Sequence, residues 1–312
     1  MLLRNNFISA AAPLALAACL LAQNAQTPSF RADTRLVVLH ASVSDKSGHL
    51  VTDLPQNAFH VFENGVEQHL KVFRREDVPV SMGLIIDSSG SMRDKRAKVE
   101  AAALQLVKAS NPNDEVFVVN FNDEAYLDTP MTNDIKKMEE GLSRIDSRGG
   151  TAMRDAIGMS IDYLKDKAHK DKKVLVVVTD GNDNTSAATL EKLVQKAQQG
   201  EILTYSIGLL SEEDRREAKK AKRALDAITE ATGGAAFYPK EVSEVERISL
   251  QVARDIRNQY TLAYSPSEQA LDGTFRKINV IVNGPNHLVV RTRTGYFANP
   301  DLPKNTPLAQ AN

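Results

Sequence analysis

Five oxygen-bearing side chains stand where an α/β chain would gather them. The stretch Asp87-Ser88-Ser89-Gly90-Ser91 follows the apolar run Met82 to Ile86 and precedes a helical pattern. Thr151 follows Gly149-Gly150 at the head of another helical pattern, and Asp180 follows the apolar run Val174 to Val178. Hydroxyls and carboxylates form an all-oxygen set suited to a hard divalent cation, Mg²⁺ first, with Mn²⁺ or Ca²⁺ as alternatives. The candidate metal ligands are therefore Asp87, Ser89, Ser91, Thr151 and Asp180. Neutral hydroxyls leave such an ion more electrophilic than a cage of carboxylates does. A free coordination position then favours an anionic oxygen, most simply a carboxylate from a partner.

For the five to meet, strands must carry them to one edge. Met82 to Ile86, Val116 to Phe121, Val174 to Val178 and Ile202 to Ile207 are short apolar runs without strict alternation, as in strands buried on both faces. Between and after them, Val99, Ala102, Ala103 and Leu106, then Met153, Ile157, Ile161 and Leu164, then Val245, Ile248, Val252 and Ile256 repeat with a helical period. The expected fold is α/β, a doubly wound, mostly parallel sheet over residues 80–258. In such sheets ligands bind at the carboxyl ends of the strands, where all five candidates fall.

The flanks read as β. Leu39, Ala41 and Val43 alternate with polar residues; Ala58 to Phe62 and Val66 to Phe73 are joined by the hairpin signal Asn64-Gly65. After the α/β region come Tyr260 to Tyr264, Phe275 to Val282 and Leu288 to Thr294. Neither flank can cover its own sheet, so residues 33–79 and 259–298 are expected to pair into one small β-sandwich into which the α/β domain is inserted. Residues 299–312, with three prolines, read as a disordered tail.

On these residues the chain resembles the von Willebrand factor type A family, whose metal-ion-dependent adhesion site has the pattern Asp-x-Ser-x-Ser, a distant Thr and a distant Asp. Asp87, Ser89 and Ser91 match the first element, Thr151 the second and Asp180 the third. Phe121 to Ala125 and Thr151 to Ile157 are also similar to family segments, and the likeness covers about residues 80–259. It implies a Rossmann-like fold in which the serines and threonine approach the metal, the aspartates act directly or through water, and a partner's Glu or Asp completes the shell. The flanks, with Gly295-Tyr296 after a strand, resemble bacterial secreted proteins with related domains.

Other readings are weaker. Asp87 to Ser91 alone could be a helix-capping turn, but Thr151 and Asp180 at matching junctions favour the metal. Asp123, Asp155 and Asp183 read as turn or solvated carboxylates. A serine hydrolase using Ser89 or Ser91 lacks the Gly-x-Ser-x-Gly elbow and a nearby base; a phosphoryl enzyme using Asp87 and a purely structural metal site are the remaining alternatives. No Gly-x-Gly-x-x-Gly or Walker lysine follows the first strand, against a nucleotide site. With 39 basic and 40 acidic residues among 312, nothing marks a nucleic-acid binder. The charge-dense stretches Ser211 to Arg223 and Lys165 to Lys173 read as solvated helix, and His40, His49, His60 and His69 as residues of the wet face of the β flank.

Residues 1–25 read as an export leader: Arg4, then an apolar run from Phe7 to Leu21, too short to span a bilayer. Its Cys19, in Leu16-Ala17-Ala18-Cys19, is the sole cysteine of the chain and resembles a lipobox, so a lipid anchor and simple secretion stand as equal alternatives. The expectation is an exported, non-enzymatic protein, periplasmic, envelope-associated or extracellular. It would grip a protein ligand through a divalent metal, contact no nucleic acid, and touch a membrane only through an anchor at Cys19.

Overall fold

The computed structural model describes residues 35–143, 147–211, 214–284 and 287–299. The leader, Cys19 and the tail beyond Asn299 lie outside them. The first strand, β1 (Val37–Ser44), begins with alternating buried and half-buried side chains, the signature of a sheet covered on one face. β2 (Phe59–Glu63) and β3 (Val66–Gln68) form the hairpin, with Asn64 and Gly65 at φ 48° and 84° as a tight turn of this kind requires, and β4 (Leu70–Arg74) completes the N-terminal group.

The α/β region runs β5 (Val80–Asp87), α1 (Arg96–Ala109), β6 (Glu115–Phe121), β7 (Ala125–Thr132), α2 (Ile135–Ser143), α3 (Met153–Lys167), β8 (Lys172–Thr179), α4 (Leu190–Gln199), β9 (Ile202–Gly208), α5 (Arg215–Thr232), β10 (Ala236–Phe237) and α6 (Val245–Arg257). Its sheet has the order β10-β9-β8-β5-β6-β7 and is parallel except for the antiparallel edge strand β7. Every residue of β5 and β9 is buried. That is possible because two apolar layers sandwich the sheet: α1 and α6 pack on one face through Leu106, Val252 and Ile256, and α3 and α5 on the other through Ile157, Ile161 and Leu225.

β11 (Tyr260–Tyr264), β12 (Phe275–Val282), β13 (Val289–Arg291) and β14 (Gly295–Phe297) then return to the N-terminal strands. Two antiparallel sheets result, β13-β1-β11-β4 and β14-β12-β2-β3, each mixing strands from both ends of the chain. Their inner faces share a core of Leu39, Val61, Tyr260, Leu262, Tyr264 and Ile278. The expected fold class, a doubly wound sheet inserted into a β-sandwich built by both flanks, is the one observed.

A polar seam joins sandwich to inserted unit. Arg291 donates to Asp255 Oδ2 at 2.5 Å, the same oxygen accepts from Tyr205 at 3.0 Å, and Gln259 reaches Ser42 at 3.0 Å. Asp255 is 3% exposed, so removing one partner would leave a buried charge uncompensated.

Two expectations are corrected here. Lys165 to Lys173 is not one solvated helix: α3 ends at Lys167 and Lys172 opens β8, 4% exposed, its ammonium on the Ile256 carbonyl at 2.5 Å. Nor is His40 a wet-face residue. It faces the junction with the inserted unit, and burial, followed by the Lys172 and Arg293 charges, holds its pKa well below the ordinary value. Ser211 to Arg223 does lead into a helix, α5, which continues to Thr232 with its apolar stripe buried.

Burial also pushes the Lys172 ammonium from its ordinary 10.5 down to about 8, against the attraction of Asp255, Asp77 and Asp114. Between these values the unfolded chain holds a proton that the folded chain has lost, so stability rises with pH across that window. Relative to Lys172→Met, the wild type should gain up to ~1.4 kcal/mol per pH unit between pH 8 and 10 in denaturant titrations. Parallel curves would refute the burial account.

Candidate functional site

Asp87 is the last residue of the central strand and is 1% exposed. A carboxylate there must be satisfied locally. Oδ1 accepts the Ser89 amide at 2.8 Å, and Oδ2 accepts the Thr179 hydroxyl at 2.5 Å, which ties the end of β5 to the end of β8. Burial pushes the Asp87 carboxyl up to about 6; the hydrogen bonds from Ser89 and Thr179 oppose the shift, and the nearby Asp180 charge adds to it.

After Asp87 the chain makes a single 3-10 turn, Gly90–Met92, before α1. Met92 is fully buried and anchors this turn to the core, leaving the hydroxyls on the rim. Ser89 Oγ lies 3.1 Å from Ser91 Oγ, and Ser91 Oγ donates to Asp180 Oδ1 at 2.7 Å. Ser89 is 2% exposed, whereas Ser91 and Gly90 are open to solvent. The Ser89, Ser91 and Asp180 oxygens thus form a hydrogen-bonded chain between the ends of β5 and β8, buried at both ends and exposed at Ser91.

Thr151 arrives on a third loop held from several sides. The Gly90 amide donates to the Gly149 carbonyl at 3.2 Å, Gly150 donates to Asp123 Oδ1 at 2.7 Å, and Ala152 donates to the Asn122 carbonyl at 2.6 Å. Thr151 itself is clasped by Asn184, whose side-chain oxygen accepts the Thr151 amide at 2.9 Å and whose amide donates to the Thr151 carbonyl at 3.1 Å. A β-carbon built on Gly181 would lie 3.8 Å from Thr151 Oγ1, so the threonine hydroxyl sits against the backbone that follows Asp180. The five side chains singled out in the sequence stand at one edge of the sheet.

Asp123, Asp155 and Asp183 tie loops together. Asp155 accepts the Ala187 and Ala188 amides at 2.8 and 3.0 Å; Asp183 accepts from the Arg154 amide and guanidinium at 2.6 and 3.0 Å and from the Ser186 hydroxyl at 2.7 Å. Sequence reasoning missed Lys95, whose ammonium bonds Asp180 Oδ2 with a side chain 27% exposed. It also missed Thr179 and Asn184. The sequence signal for Lys95 was its place one turn beyond Ser91, at the entry to α1. Among the described residues no group of three or more His, Cys, Asp or Glu side chains is placed to hold a metal ion, so this edge is a hydroxyl-rich site with two carboxylates.

Residues 82–182 match the family model of the von Willebrand factor type A domain. The solved structure of a von Willebrand factor type A protein from Catenulispora acidiphila shares the fold, with a TM-score of 0.51 over 85% of this chain and 75% of that one at 12% identity. Human integrin alpha-11 is 33% identical over 88 residues, 26% of this chain and 7% of its own. Mouse calcium-activated chloride channel regulator 1 is 27% identical over 170 residues, 51% of this chain and 17% of its own. The chain thus spans less than a fifth of either relative's length.

Gly149 has φ 75°, and a β-carbon there would collide with the Asp123 carboxylate that holds the Gly150 amide. Gly48 has φ 82° with open space around it. Backbone strain alone costs roughly 1–2 kcal/mol. Gly149→Ala should therefore destabilise the fold by more than Gly48→Ala, and shift the Thr151 amide resonance, which Gly48→Ala leaves in place. Equal losses with an unmoved Thr151 signal would count against this account of the loop.

Proposed function

We propose that this protein is a non-enzymatic binding module that grips a protein ligand through a divalent cation held by Asp87, Ser89, Ser91, Thr151 and Asp180. The observation that carries the reading is the hydroxyl chain from Ser89 through Ser91 to Asp180, set beside the buried Asp87 that holds the Ser89 amide, with the exposed residue Ser91 in its middle. The set fits Mg²⁺, with Mn²⁺ or Ca²⁺ also accommodated: its donors are hard oxygens, none is sulfur or imidazole, and the floor is a buried carboxylate. The bound cation would supply a Lewis-acid point at the rim, and a Glu or Asp carboxylate of the partner would complete its shell. Lys95 is the resident counter-charge to Asp180 and competes with the cation for that carboxylate.

Exposure at Gly90 and Ser91 favours a binding role over a metal that only ties loops together. The hydrolase alternative lacks a base. His169 is the one histidine between residues 80 and 258, and it bonds Glu115 at 2.9 Å, at the opposite end of the strands. The leader over residues 1–25 supports an exported protein, periplasmic, envelope-associated or extracellular, with Cys19 as an alternative lipid-attachment point. Among the described residues no helix is long and apolar enough to cross a membrane. The unit borders assigned are 33–79, 80–258 and 259–298.

Calorimetric titration with Mg²⁺ and Mn²⁺ tests the site. Wild-type protein should bind either ion; Asp87→Ala and Ser89→Ala should lose binding while circular dichroism stays native, and Lys95→Met should bind about tenfold tighter. Unchanged affinity in both Asp87→Ala and Ser89→Ala would defeat the assignment. Partner capture from an envelope fraction should depend on Mg²⁺ and vanish with chelator; a partner held equally well in chelator would refute the metal bridge.

A further inference from the structure

Several cations stand on the loops and helices around the Asp87 edge, and most of them have an anionic partner. Lys95 bonds Asp180, Arg96 pairs with Glu100, and Arg154 pairs with Asp183 at 3.0 Å. Arg93 and Arg148 differ. Both are exposed, and among the described residues neither is in an ion pair with a carboxylate, the adjacent Asp94 included. Asp123, on the neighbouring loop, spends Oδ1 on the Gly150 amide.

The backbone fixes where these two residues stand. Arg148 lies between the cross-links that staple the threonine loop to the serine loop: its own amide donates to the Ser88 carbonyl at 3.0 Å, and the next carbonyl, of Gly149, accepts the Gly90 amide at 3.2 Å. It is therefore held beside Gly90 and Ser91, the exposed part of the edge. Arg93 follows Ser91 by two residues, and its Nη2 lies 3.5 Å from the Ser147 carbonyl, one residue before Arg148. Such a contact is at the limit of a hydrogen bond and leaves most of the guanidinium donors unspent. Like charges gathered on adjoining loops repel until an anion comes between them, and a planar guanidinium can pair with both oxygens of a carboxylate. The chain as a whole carries a formal charge of -1, so this positive pair is a local feature and not part of a general attraction for anions.

We propose that Arg93 and Arg148 form a second anion subsite beside the cation position, and that the partner is an acidic peptide segment with two carboxylates a few residues apart. One carboxylate completes the shell of the cation; the other pairs with the arginines. The inference rests on the reading of the Asp87 edge as a metal site and adds to it the class of ligand preferred there. A cation alone accepts any accessible carboxylate, whereas two anchors on braced loops select for the spacing between two acids. In an extended segment, acids at alternate positions share a face and lie about 7 Å apart, which makes Glu-Gly-Glu the simplest pattern to offer.

The probes are blocked, glycine-flanked peptides carrying two glutamates with one, two or three glycines between them, the same peptides with either glutamate replaced by glutamine, and an all-glutamine control. In Mg²⁺, calorimetry with the full chain should show the best two-glutamate peptide binding at least fivefold tighter than either one-glutamate version. The paired variant Arg93→Gln and Arg148→Gln should lose that preference, and Arg93→Lys with Arg148→Lys, which restores the charges, should recover part of it. Equal affinity of the wild type for two- and one-glutamate peptides, or a preference that survives in the glutamine variant, would overturn the proposal. In chelator, a one-glutamate peptide at millimolar concentration should still shift the Arg148 and Gly149 amide resonances, and the all-glutamine control should not. Unmoved resonances there would overturn it as well. The two readings fail separately: binding that depends on the arginines but not on Mg²⁺ would count against the cation alone, and binding that depends on Mg²⁺ but not on the arginines would sink only the second subsite.

Discussion

A carboxylate buried at the end of the central strand is the constraint on which this molecule's rim depends. Asp87 can be tolerated there only if neighbours satisfy it, and its two oxygens recruit an amide from its own loop and a hydroxyl from the end of the adjacent strand. That pairing brings the Asp180 loop against the serine loop. The Gly90 to Gly149 and Thr151 to Asn184 bonds then draw in the third loop. The rim is thus a network in which each loop is defined by the others, held over a sheet whose central strand is buried along its whole length.

Much of this was legible in the amino-acid order. Unbroken apolar runs marked the buried strands, and an abrupt change to Asp, Ser and Thr at three of the strand or helix boundaries marked the edge. The hairpin at Asn64-Gly65 and the return of β texture after residue 259 foretold the sandwich. What stayed hidden depends on long-range partners. Lys95 is one lysine among many until Asp180 faces it, and Asn184 becomes a clasp only because the Thr151 loop passes beside it. β7 escaped notice because, as a half-exposed edge strand holding Pro130, it lacks the apolar run that betrays a central strand. Lys172 and His40 misled for a related reason: their neighbours in sequence are polar, while their neighbours in space belong to the seam between layers.

That seam is where specificity outweighs raw stability. Ion pairs such as Arg291 with Asp255 gain little over apolar packing once desolvation is counted, yet they penalise any docking of the layers that leaves one partner alone.

The way the sandwich is knitted has a consequence for how the chain acquires its shape. Ser42 and Gln259 meet although they lie 217 positions apart in the chain, and among the described residues β1 pairs with β11 and β13. Contacts so remote in sequence form late, since loop closure must be met before they are rewarded. A folded inserted unit brings the two groups of sandwich strands within reach of one another and shortens the effective loop. Until β11 is synthesised, β1 waits as an orphan edge, and the interval before it finds its mate is the period in which a nascent copy is most open to pairing with a stranger.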